Sequence, residues 1–518
     1  MLTEFAGKLA GDVVSNSTRI AKNTIALYFR QILIMLVSLY TVRVVLATLG
    51  AEDYGIYNVV AGVVTMFGFL SGAMATASQR YFSFDLGKGD TEHLKTTFSV
   101  TFQIYLLIIA VVVFIAETFG LWFVNHKLVI SAGRMTAANW IYQAAIVSFV
   151  LTLVTTPYMA CIIAHENMKV YAYVSIVEAV MKLGIVFLLK VLPFDKLSLY
   201  GVLLAAVAFI NTGIYRLYCH KHFEECRLYF VKNGKLFREI VGYSGWNLFG
   251  SVVGVFKNQM TNILLNLFFT PIVNAARAVA SQVNSAVTSF SQNFSTAVRP
   301  QIIKSYASDK KDECISLVFY GCKITFFLMY IFSFPLILEM DFILELWLKN
   351  PPELAVIFTQ LALIDAVIDS ISYPIMTLAQ ATGKIKLYQG VVGGILLLNL
   401  PVSYVALKLG APAFSVMVIA IGITFLAFIV RLLIVKHLTE FSLRAFVLQV
   451  VLPVAAVSVC SAVVPVFLKM IVKNAIAEFF AVVFSSVIFC GVFILFFGLK
   501  KSERNVLVLK IRGRFCRG

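Results

Sequence analysis

Apolar residues in this chain gather into long runs rather than into the alternations of strands or the single stripes of soluble helices. Runs of membrane-spanning length predict helices at roughly 23–49, 54–78, 98–119, 138–163, 170–192, 197–218, 241–268, 271–298, 315–340, 353–380, 387–407, 412–435, 444–468 and 475–499. The pattern therefore predicts an all-α polytopic membrane protein of about 14 transmembrane helices. Outer loops are short, and none is large enough to form a domain. Residues 1–22 are polar and mixed, without a short apolar core before a small-residue cleavage site. The first helix is thus expected to act as the targeting segment.

An internal repeat sets the expected architecture. Pro157, Met159, Ala164, Lys169 and Tyr171 recur as Pro374, Met376, Ala381, Lys386 and Tyr388 at one constant offset of 217 residues. Arg80 and Arg299, after the second and eighth helices, are related by a similar offset. Six helices separate equivalent elements, and six is even, so the copies share one orientation. This predicts two parallel six-helix lobes related by a pseudo-twofold axis along the membrane normal. The expected organisation is a cytoplasmic segment 1–22, an N-terminal lobe 23–218, a cytoplasmic linker 219–240 and a C-terminal lobe 241–435. Two appended helices at 444–499 and a basic cytoplasmic tail 500–518 complete it.

Composition agrees: 60% of residues are hydrophobic and 13% charged, against about 25% charged in soluble proteins. The net charge of +17 would suit nucleic acid, but its distribution points elsewhere. Most of the 43 lysines and arginines fall in loops on the side of the N-terminus, which places those loops and both termini in the cytoplasm. The charge is read as a topology signal with attraction to anionic membrane lipids as a by-product, and no nucleic acid partner is expected. None of the eight cysteines lies in a predicted outer loop, so no disulfide framework is implied. Cys219, His220, His222 and Cys226 carry zinc-binding side chains, yet their spacing fits no structural zinc pattern. No metal and no cofactor is expected.

No Walker A, HExxH or GxSxG sequence is present, and no catalytic residue is assigned. The informative groups are polar ones at membrane depth, where a charge costs at least about 2.5–3.5 kcal/mol and marks a watery or anionic interior. The first helix carries Arg30 and Arg43. Thirteen residues at about 100° each leave them roughly 140° apart, so at most one faces a cavity squarely. Lys257 lies near mid-span of the seventh helix. In the eighth helix Arg277, Ser281, Asn284, Thr288, Ser291 and Ser295 form a polar stripe, widened by Gln282, Ser285, Ser289, Gln292, Thr296 and Arg299. It opposes an apolar face of Val279, Val283, Val287, Phe290, Phe294 and Val298, as expected of a helix turned toward water or substrate. Ser281, Asn284, Thr288 and Gln292 are the expected cavity wall. Asp365 and Asp369, one turn apart, repel unless one is protonated or both meet cations; they are candidates for ion coupling. Glu178 and Lys182 are a second such pair, able simply to neutralise one another.

The stretches TVRVVLATLGAEDYGIYNVV, SQRYFSFDLGKGD, WIYQAAIVSFVLTLVTTPYMACIIAHENMKVYAYVSIVEAVMKL and FSTAVRPQI resemble the MOP superfamily of flippases and exporters. Within it they are similar to the polysaccharide-transport branch, the Wzx-type flippases of lipid-linked oligosaccharide. The similarity runs over most of residues 20–440. It implies a MATE-like fold around a central cavity, and alternating access that turns polyprenyl-pyrophosphate-linked repeat units from the inner to the outer leaflet of the bacterial cytoplasmic membrane. O-antigen, capsule or exopolysaccharide synthesis would be served, with the polysaccharide polymerase machinery as a further candidate partner. By position, the cationic substrate contacts the family implies are Arg30, Arg43, Lys257 and Arg277, with Arg80 at the inner mouth.

A multidrug exporter of the same superfamily would share the twelve-helix core but would want carboxylates in the first lobe's cavity, where the first helix has arginines. A lipid II-type flippase would share both helix count and cationic cavity, so charge does not separate it. A membrane glycan polymerase, an enzyme, would need a large catalytic outer loop, and none is predicted.

Overall fold

The computed structural model describes residues 2–128, 130–269, 271–472 and 474–498; the basic tail 500–518 lies outside the described residues. Among these, every regular element is helical. In chain order the rods are α1 (Lys22–Gly50), α2 (Glu52–Thr65 continued by Gly68–Lys88), α3 (Thr91–His126), α4 (Met135–Ala164), α5 (Met168–Val191) and α6 (Lys196–His222). Then come α7 (Gly234–Phe268) and α8 (Pro271–Ala307). The series ends with α9 (Lys311–Leu338), α10 (Ala355–Ala381), α11 (Ile385–Lys408), α12 (Ser415–Leu438), α13 (Leu443–Ile471) and α14 (Ala475–Gly498).

Eleven of these are long and apolar enough to cross a membrane, and twelve if the two halves of α2, bent by 43°, count as one span. That makes the chain a multi-pass membrane protein. Among the described residues the expected count of fourteen apolar spans is not reached, because α7 and α8 are less apolar for a chemical reason. Over 35 and 37 residues they carry the Asn, Gln, Ser and charged residues that marked them as cavity helices.

Two expected loops also prove helical. The segment after residue 78 was expected to leave the membrane as a loop, yet α2 runs on to Lys88 and stops only at Gly89, whose φ is 74°. Likewise α8 continues past Val298 to Ala307. Polar side chains end a membrane run without ending a helix; a left-handed residue does both.

The described residues form two compact units, Lys22–Val252 and the residues from Val253 on together with 2–21. In the first unit α4 packs on α6 through Gly201, where an added Cβ would lie 3.2 Å from the Ile141 Cα. At one end Arg134 pairs with Asp53 and, at 2.7 Å, with Asp195, tying the starts of α2, α4 and α6. At the other end Phe82, Phe98 and Tyr158 pack in series as tilted rings with 5.5 Å between successive centres. In the second unit Gly321 of α9 receives the Pro374 ring, 3.1 Å from an added Cβ, and the Tyr330 hydroxyl donates to the Ser458 carbonyl at 2.9 Å, fastening α13 to α9.

The repeat seen in the sequence is matched in the backbone. Three residues join α4 to α5 and three join α10 to α11. The middle residue of each connector is left-handed: Glu166 with φ 63° and Gly383 with φ 76°, separated by the same offset of 217 positions. Gly89 and Asp309, which precede α3 and α9, are likewise left-handed at 74° and 56°.

Candidate functional site

In the first unit one face of α1 lines a cavity of about 400 Å³ through Arg30, Ile34, Val37, Ser38 and Thr41. The spacing is one helical face. Tyr57 of α2, Ser175, Glu178 and Lys182 of α5, and Tyr200 of α6 complete the polar wall. Arg30 donates to Ser175 Oγ at 3.5 Å, and its guanidinium sits 4.6 Å from the centre of the Tyr171 ring, a cation–π geometry. The Thr41 hydroxyl is buried with no hydrogen-bond partner. Arg43 is exposed and does not line the cavity, as the roughly 140° separation on the helix requires.

Glu178 and Lys182 do form a pair, 2.6 Å apart, and Asn211 donates to the second Glu178 oxygen at 3.1 Å. A second cavity of about 250 Å³ adjoins the pair and shares Tyr57, Glu178 and Lys182 with the first. Tyr57 and Tyr200 meet edge to face at 4.9 Å beside it.

The second unit holds a cluster of charges. Arg431 of α12, 8% exposed, donates to Asp369 Oδ1 at 2.6 Å. Asp365, one turn earlier, interacts electrostatically with Lys257, Asp369 and Arg431 and through its side chain with Thr424. Its Oδ1 is buried with no hydrogen-bond partner. Tyr373 interacts with Gln292 and with both aspartates, and Tyr388, fully buried, interacts with Arg431. Asp365 and Tyr373 thus link Lys257, Gln292 and Asp369 electrostatically. Sequence reasoning missed Arg431; the signal was a lone arginine inside an otherwise apolar run, close enough to its end to pass for a flank.

Arg277 is 7% exposed and donates to the Asn258 carbonyl at 3.2 Å and to Asn262 Oδ1, so it fastens α8 to α7. The stripe on α8 is open only in its middle. Ser281, Gln282, Ser285 and Gln292 are exposed and Asn284 and Thr288 half-buried, while Ser291 and Ser295 are buried. The opposing Val287, Phe294 and Val298 are in the core. Arg80, expected at a solvated mouth, is instead 5% exposed, with Tyr81, Phe84 and Tyr243 around its guanidinium at 4.7, 4.6 and 5.5 Å. The helical continuation of α2 turns it inward.

Residues 20–306, more than half of the chain, match the family model described as polysaccharide biosynthesis protein. No curated protein is detectably similar in sequence. Among solved structures, the fold is similar to an outward-facing multidrug resistance MATE family transporter of the MOP superfamily, with TM-score 0.70 at 10% identity over 82% of this chain and 95% of that one. A MATE transporter of Vibrio cholerae, solved as a point mutant, aligns with TM-score 0.56 at 13% identity over 93% and 96%. A MOP superfamily transporter of Pyrococcus furiosus, described as having a binding pocket of reverse polarity that suggests a different function, aligns with TM-score 0.60 at 12% identity over 81% and 95%.

Proposed function

The chain belongs to the polysaccharide biosynthesis protein family, and from that membership we propose that it is a flippase for polyprenyl-pyrophosphate-linked oligosaccharide. It works by alternating access in the bacterial cytoplasmic membrane, with both termini in the cytoplasm, and supplies O-antigen, capsule or exopolysaccharide synthesis. Its family and its MATE-like fold are those of transporters rather than enzymes.

Beside that membership, the cavity around Arg30 supports this reading. A volume of about 400 Å³ is within the range of small-ligand sites, roughly 300–1,000 Å³. Its cation is stacked on Tyr171 with a serine beside it, which suits a phosphate oxygen, and Ser38, Thr41 and Tyr57 suit the hydroxyls of a sugar. The half-open polar face of α8 needs a hydrated surface for the same reason that any polar group in a bilayer does. Asp365 and Asp369 serve as the coupling site: a buried carboxylate oxygen without a donor is satisfied by a proton or a small cation.

A deletion strain tests the reading. Loss of surface polysaccharide with lipid-linked repeat units accumulating on the inner leaflet is the expected result, restored by the wild-type chain. Persistent surface polysaccharide without accumulation would overturn it, and new sensitivity to cationic drugs in that strain would favour a multidrug exporter.

A further inference from the structure

The end of α4 and the turn after α6 bring together side chains that sequence spacing kept apart. Cys161 and His165 stand one helical turn apart at the end of α4. Glu225 and Cys226 lie in a single 3₁₀ turn, Glu224–Cys226. The Cys161, His165 and Glu225 ligand atoms all fall within 4.8 Å of one another. Cys161 Sγ is 3.6 Å from Glu225 Oε1 and 3.6 Å from Cys226 Sγ, and His165 Nε2 is 2.5 Å from Glu225 Oε1.

We propose that Cys161, His165 and Glu225 bind a transition-metal ion of the Zn²⁺ class, with the Cys226 thiol beside Cys161 at 3.6 Å. Metal–ligand bonds of about 2.0–2.3 Å set the edges of a tetrahedron at roughly 3.3–3.8 Å; the 3.6 Å from Cys161 Sγ to Glu225 Oε1 falls in that interval, while the 2.5 Å His165–Glu225 contact is a direct hydrogen bond that opens by about 1 Å when an ion takes its place. A thiol, an imidazole and a carboxylate are a zinc-type donor set, open at a fourth position, and a poor one for Mg²⁺ or Ca²⁺. The ligands are held before any ion arrives. Cys161, Cys226 and Glu225 are 1%, 0% and 8% exposed, and the His165 ring is stacked on Phe223 at 4.1 Å and 12°. A third thiol, Cys219, is fully buried and adjoins Cys226, placing a spare donor beside the site. The two pairs come from elements sixty residues apart, which is why CHKHFEEC alone matched no spacing rule. Of its histidines, His222 is exposed and engaged by the Tyr218 carbonyl, outside the group. An ion here would pin the start of the segment between α6 and α7 to the end of α4.

Tag-free full-length protein in detergent, equilibrated with Zn²⁺ and desalted, is expected to retain about one ion per chain by elemental analysis. Replacement by Co²⁺ should produce the thiolate-to-cobalt absorption of a tetrahedral site. The Cys161→Ser/Glu225→Gln double variant should retain less than about a tenth of that metal, and His222→Ala should retain all of it. Should the double variant aggregate, the wild-type stoichiometry and Co²⁺ spectrum decide by themselves. Wild-type protein that keeps no metal, or that shows a Cys161–Cys226 disulfide on peptide mapping, overturns the proposal.

Discussion

Arg431 and Asp369 lie 2.6 Å apart, with the arginine side chain 10% exposed and the aspartate 34%, so the pair joins α12 to α10 in a site dry on one side and open on the other. Removing one partner leaves the other charge poorly solvated. Arg431→Ala is expected to destabilise by about 2–3 kcal/mol, less than a fully buried pair because Asp369 keeps some access to water. Adding Asp369→Leu to that variant should recover part of the loss. Thermal unfolding in detergent of the single and double variants checks this; an additive double variant sinks it.

Arg30 and Arg43 should separate in transport. A charge-assisted contact contributes about 1.5–3 kcal/mol, so Arg30→Ala is expected to slow substrate transfer about 10- to 100-fold. Arg43→Ala should change it by less than about twofold, since the side chain is exposed and off the cavity face and such positions rarely matter energetically. Reconstituted transport of a short lipid-pyrophosphate saccharide distinguishes them. Equal losses would mean the cavity is not the site.

Asp365 should carry the coupling. With Oδ1 lacking a donor and Lys257 and Arg431 acting on the carboxylate, Asp365→Asn replaces a titratable, cation-binding group by a neutral amide of the same shape. Transport into proteoliposomes should then lose its response to an imposed proton or sodium gradient while binding persists. An unchanged gradient response would remove Asp365 from this role.

Gly383, at φ 76°, should resist a side chain. Gly383→Ala is expected to lower stability by about 1 kcal/mol, because alanine is strained in the left-handed region. Glu166 occupies the matching place at φ 63°, so Glu166→Ala exchanges one side chain for another and adds no backbone strain of this kind. Melting temperatures of the two variants provide the comparison.

Much of this was legible in the sequence because membrane helices advertise themselves by apolarity, and the Pro157/Pro374 repeat by its spacing. What was hidden has physical reasons. Arg80 reads as a loop cation until α2 is seen to continue to Lys88 and cover it with Tyr243, 163 positions away in sequence. Arg277 belongs to the polar stripe by periodicity, yet periodicity names a side of the helix and not its neighbour, here Asn258 and Asn262. Cys161 and His165 sit in an apolar helix end that gives no local sign of Glu225. Local pattern carries orientation; long-range partners come only from the fold.

The three-residue connectors at 165–167 and 382–384 have a mechanical consequence. With so little slack, since each trans residue spans only about 3.8 Å, α4 cannot slide along α5, nor α10 along α11, by more than a turn or so. Each hairpin is a single lever. Any rearrangement of the helices would then be taken up elsewhere, at joints such as the left-handed Gly50 before α2 and the 43° elbow inside it.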